Sequence, residues 1–128
     1  MRVNFMNSSI GVDIVDKRRI GELLQKFGDK LPLRVLGADE LTVFEQRSDQ
    51  TEFLAGRFAA KEALIKALGG LLEQRPPYNE IQILPDQSGQ PVVRFTSGSA
   101  ALEGYSFQVS ISHEKNYAVA MALGQREE

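Results

Sequence analysis

The chain has 128 residues, a formal net charge of -2 and a pI near 5.5. That balance excludes a nucleic-acid binder working by bulk positive charge, while leaving room for a local site for small anions. The absence of cysteine excludes disulfides, thiolate metal sites and a cysteine nucleophile, and it suits a reducing cytosol. The length predicts one domain over residues 1–128. The N-terminal "MRVNFMNSSIGVD" carries no apolar run of signal length, and no stretch reaches the about 18 apolar residues of a membrane-spanning helix. A soluble cytoplasmic protein with no membrane partner is therefore expected.

In chain order, "SIGVDIV" (residues 9–15) alternates as a strand, with Ile10, Val12 and Ile14 on one face and Gly11, Asp13 and Val15 on the other. Residues 17–28 form a short helix. Ile20, Leu23, Leu24 and Phe27 share one face and Gly28 stops it. A looser helical pattern follows in "ADELTVFEQRS". A long helix runs from about Asp49 to Leu68 and ends at Gly69 and Gly70. "EQRPPYNE" is a loop, "EIQIL" and "PVVRF" are strands around the hairpin signal "PDQSGQ", and "SGSAALEG" holds a short helix capped by Ser97 or Ser99. "YSFQVSIS" and "NYAVAMAL" form a second hairpin across "HEKN", and "GQREE" is expected to fray. Hairpins mixed with non-alternating helices predict an α+β fold built on antiparallel sheet, with one long buried helix.

Five polar positions stand out. On a helical wheel, Leu54, Phe58, Ile65 and Leu68 share a stripe with Lys61 between them, while Glu62 and Lys66 flank it. Ala55, Ala59, Ala63 and Ala67 form a second strip that permits close approach of a neighbour, so the helix is covered on most sides. Glu62 and Lys66 can be read as a surface i,i+4 pair. They can equally be a carboxylate and a cation set beside a ligand. Asp13 interrupts a β-branched strand, where aspartate is depleted. Held rigidly there, it could join Glu62 in binding a hard cation such as Mg²⁺, which takes one or two carboxylates plus water and phosphate oxygens. Lys61 and Lys66 would then neutralise phosphates. His113, the lone histidine, follows the strand "VSIS", so a multi-histidine zinc site is excluded. There is no GxSxG elbow, and "GSAALEG" lacks the Lys-Ser/Thr ending of a P-loop.

Together, "IGVDIVDKRRI", "AGRFAAKEALIKAL" and "VSISHEKNYAVAMAL" resemble the signature regions of the holo-acyl-carrier-protein synthase group of 4′-phosphopantetheinyl transferases, from about Ile10 to Leu123. The resemblance implies the small α+β fold of that group, trimeric with sites at subunit interfaces. It implies Mg²⁺-dependent transfer of the phosphopantetheine arm from coenzyme A, the substrate, to a serine of an acyl carrier protein, releasing 3′,5′-ADP. Residue by residue, Asp13 and Glu62 match the metal-binding pair. Lys66 matches the lysine near the pyrophosphate. His113 matches the histidine at coenzyme A, and Arg19 a basic residue that meets the acidic carrier. Arg57 in the "GRFAAKE" block is expected near that carrier surface, with Lys17 and Arg18 extending its basic patch. Lys61 and Gly69 are expected near the nucleotide. The proton acceptor is left between Glu62 and a metal-bound water. Two departures stand beside the match: "GGLLEQRPPYNE" where the group often has a GTG-like loop, and Glu114 where it often has Thr or Ser. The altered loop leaves open a non-catalytic module that binds coenzyme A or carrier, while the buried character of "FAAKEALIKAL" argues against a plain structural domain.

Overall fold

The computed structural model describes residues 8–69, 71–72, 74–97 and 100–127. Strand β1 (Ser8–Asp16) runs directly into helix α1 (Lys17–Phe27). The junction is sharp because Asp16 caps the helix, its carboxylate accepting from the Arg18 amide at 2.9 Å. Helices α2 (Lys30–Val35) and α3 (Ala38–Glu45) lead to the long helix α4 (Gln50–Leu68). A hairpin, β2 (Ile81–Pro85) and β3 (Pro91–Phe95), is followed by β4 (Tyr105–His113) and β5 (Tyr117–Arg126). The antiparallel expectation divides into two sheets, one of order β1-β5-β4 and one made by β2 and β3 alone. Phe95 of β3 meets Phe107 of β4 edge to face at 5.6 Å and links them.

Helix α2 was not anticipated; Pro32 lies in its first turn, where the missing amide costs nothing. The expected fraying of "GQREE" is corrected as far as Arg126, because β5 is paired on both sides, Gln125 lying opposite Ser8 and Ser106. Gly70 and Ser99 lie outside the described residues.

The core lies between α4 and the inner face of the three-stranded sheet. Ala55, Ala59, Ala63 and Ala67 are buried against the small row Ala118, Ala120 and Ala122. Contact is so close at Gly11 that a Cβ there would sit 1.9 Å from the Ala63 carbonyl oxygen. The alternation predicted for β1 therefore places Gly11, Asp13 and Val15 on the helix side. The outer face exposes Ile10, Val12 and Ile14 of β1 with Tyr117, Val119 and Met121 of β5.

Candidate active site

Asp13 and Glu62 come together on the wall of one cavity of about 390 Å³, closed behind them by Ile20, Leu54 and Phe58 and rimmed by Arg19. Asp13 is delivered by the strand face that packs on α4. Glu62 is delivered by the flank of α4 that the wheel predicted. Glu62 also lines a neighbouring cavity of about 320 Å³ with Lys66, Gly69 and Arg75. It is thus the carboxylate common to both.

Each carboxylate is paired within the chain. Lys66 Nζ lies 3.3 Å from Asp13 Oδ1 and donates to the Val12 carbonyl at 2.9 Å. Glu62 accepts from the Tyr78 hydroxyl at 2.9 Å on one oxygen and from Arg75 at 3.2 Å on the other. Gly69 ends α4 with φ 54°, a left-handed conformation suited to glycine, and so turns the chain at the cavity edge. Two rigidly held carboxylates facing one cavity are a donor set that fits a hard divalent cation, with water and substrate oxygens completing the shell. Among the described residues no group of three or more His, Cys, Asp and Glu gathers, so the chain would offer this pair alone.

Three expectations change. Lys61 leaves the site: its ammonium is fully buried and donates to Glu40 Oε1 at 2.6 Å, the Val35 carbonyl at 2.6 Å and the Tyr78 carbonyl at 2.9 Å. All three donors are used, and none is left for a nucleotide phosphate. Burial pushes Lys61 below the usual lysine range, with Glu40 opposing. Arg57 leaves the carrier-facing surface. Its side chain is only 14% exposed, stacks over Phe53 at 4.5 Å, donates to the Ile83 carbonyl and lines a third cavity of about 480 Å³ beside His113. The basic patch shrinks as well. Lys17 is committed to Glu52 at 2.7 Å and Arg18 to Asp16, leaving Arg19 at the cavity rim.

His113 therefore stands apart from Asp13 and Glu62. It sits at the end of β4, across β5 from β1, with its imidazole over Gly56. The site's third cavity is closed there by the "SGQP" turn of the β2–β3 hairpin. Burial lowers the imidazole below its ordinary range, although Glu52, 3.9 Å away, opposes the shift. Glu114, the second departure from the group's pattern, accepts from the Asn116 amide at 2.6 Å and closes the hairpin. Reading the sequence missed Glu40, Tyr78 and Arg75. Of these, Glu40 was signalled by "GADE", in which the fourth residue of a helix start bonds back to the Gly37 amide at 2.9 Å.

Residues 9–122 match the family model described as the 4′-phosphopantetheinyl transferase superfamily. The chain belongs to this superfamily. Over 118 residues it is 45% identical to the holo-[acyl-carrier-protein] synthase of Shewanella frigidimarina, covering 89% of this chain and 94% of that one. The crystal structure of the Neisseria meningitidis holo-[acyl-carrier-protein] synthase superposes with a TM-score of 0.81 at 33% identity, covering 92% of this chain and 98% of that one. The Bacillus anthracis holo-(acyl-carrier-protein) synthase, solved in complex with CoA (3′,5′-ADP), gives 0.77 at 34% identity, with 93% and 96% covered. These structures share the fold over more than nine-tenths of the chain, and the matched segment holds the first two signature blocks and all but Leu123 of the third.

Proposed function

We propose that this protein transfers the 4′-phosphopantetheine arm of coenzyme A to a serine of an apo acyl carrier protein, releasing 3′,5′-ADP. The observation that carries the reading is the meeting of Asp13, Glu62 and Lys66 where two cavities adjoin. One cavity is rimmed by Arg19 and suits an acidic protein partner; the other holds Lys66 and suits a diphosphate. The serine oxygen attacks the phosphorus nearer the pantetheine, the bond to the bridging oxygen breaks, and 3′,5′-ADP departs. Such transfer depends on position and charge more than on covalent assistance. Glu62, open to both cavities, receives the serine proton in this reading, and Lys66 balances charge on the leaving phosphate. Asp13 and Glu62 would hold Mg²⁺, which when bound supplies further charge stabilisation at the diphosphate.

His113 and Arg57 line the cavity at the opposite edge of the sheet, where they suit the nucleotide end of coenzyme A. A second copy would bring that cavity to Asp13 and Glu62, and the exposed row Ile10, Val12, Ile14 and Met121 supports association into a homotrimer. Among the described residues no helix is long and apolar enough to cross a membrane; the reading sets the reaction in the cytoplasm.

The test is incubation with apo carrier protein, coenzyme A and Mg²⁺, followed by mass spectrometry of the carrier. Addition of the arm is expected, and its absence across several carriers would sink the reading. Binding of coenzyme A without transfer would mark a non-catalytic module instead.

A further inference from the structure

Glu62 is held by two groups of unequal firmness. The Tyr78 hydroxyl bonds one oxygen, and Tyr78 is itself fixed, packed against Phe58 at 5.4 Å with its carbonyl tied to the buried Lys61. Arg75 bonds the other oxygen at 3.2 Å from a side chain that is 65% exposed, while Glu62 is 24% exposed. An ion pair so open to water is weak and readily exchanged. Lys66, 56% exposed, stands in the same relation to Asp13. Arg75, Lys66 and Gly69 line one cavity, and among the described residues Glu62 is the sole carboxylate on its wall.

We propose that Arg75 is a diphosphate-binding residue that neutralises Glu62 in the empty site and exchanges onto the substrate's diphosphate when the site fills. The inference rests on the coenzyme A reading above and extends it to the loop that follows α4. With Glu62 holding a divalent cation, the Arg75 guanidinium would be released, and its planar fork suits phosphate oxygens. Tyr78 keeps Glu62 oriented through the exchange.

Calorimetric titration of the whole protein with coenzyme A in Mg²⁺, for wild type, Arg75→Gln and Arg75→Lys, tests this directly. Arg75→Gln is expected to bind coenzyme A and dephospho-coenzyme A about tenfold more weakly, and by the same factor, because both carry the diphosphate. Arg75→Lys should recover part of the loss. Titration with Mn²⁺ alone, followed by electron paramagnetic resonance, should move the other way. Freed of its guard, Glu62 in Arg75→Gln should bind the metal about threefold more tightly, whereas Tyr78→Phe should bind it more weakly. A structural role for Arg75 would weaken both ligands together and overturn the proposal, as would unchanged coenzyme A affinity in Arg75→Gln. Wild-type protein that bound no coenzyme A would remove the underlying reading as well. Wild type that binds while Arg75→Gln binds equally would remove the Arg75 assignment alone.

Discussion

Replacing Lys61 by methionine separates a structural lysine from a phosphate-binding one. The pair it makes with Glu40 is 0% exposed on both sides, so no water replaces the lost ammonium. Glu40 would keep the Gly37 and Ile83 amides, each at 2.9 Å, and lose its nearest countercharge; Arg57 is 4.0 Å away. The Val35 and Tyr78 carbonyls would lose a donor as well. Breaking a buried pair from one side costs about 3–5 kcal/mol. For a domain of this size that lowers the melting temperature by roughly 10–20 °C. Urea unfolding followed by circular dichroism should show the loss. Lys61→Met combined with Glu40→Gln should cost less than the two single changes summed, because the orphaned carboxylate is gone. Transfer activity, assayed at a temperature where the variant is folded, should stay within about threefold of wild type, a residue outside the site adding little to the barrier. A variant that melts normally but has lost activity would refute the structural assignment and return Lys61 to the nucleotide.

Other outcomes follow from the same geometry. Gly11→Ala drives a methyl into the Ala63 carbonyl at 1.9 Å, so it should destabilise by about 3 kcal/mol or more in the same unfolding assay. Glu62→Gln should leave melting nearly unchanged while reducing transfer about 100-fold or more, read by mass spectrometry of the carrier. His113 bears on pH. Burial lowers its folded pKa below the ordinary 6.5, so just below 6.5 the unfolded chain binds the extra proton and stability falls as pH falls. Melting curves from pH 7 to 5 should show a shallower decline in His113→Gln. Ile14→Glu, at a side chain 62% exposed, should spare the isolated fold yet yield a smaller particle by light scattering if that face joins copies.

The strands and the long helix were legible because their periods are set by local geometry: alternation placed Asp13 with Gly11, and the wheel placed Lys61 on the apolar stripe. Which of two meanings a charge carries is set by its partner, and partners are distant in sequence. Glu40 lies 21 residues from Lys61, and Arg75 lies 13 from Glu62. The wheel sets Lys61 on the apolar stripe and Lys66 on its flank, but the helix alone does not name the partners that spend the donors of Lys61 and leave the Lys66 ammonium at the cavity. Arg57 was misplaced for a related reason. Its neighbour Phe58 borders one cavity, but the roughly 100° step between successive helical residues turns the Arg57 side chain toward the other.

The alanine strip of α4 carries a consequence for how this enzyme can diversify. Around Gly11 the sheet meets α4 through backbone and methyl groups, with no larger side chain to trim or enlarge. Size changes there meet the Gly11 contact first, so the spacing of the carboxylates is shielded from drift. Variation in preference for carrier or for acylated coenzyme must accumulate where side chains are long and half exposed, in the loop carrying Arg75 and along α1 and α2. The fold thereby divides its surface into a part that evolution can edit freely and a part it can only keep or lose.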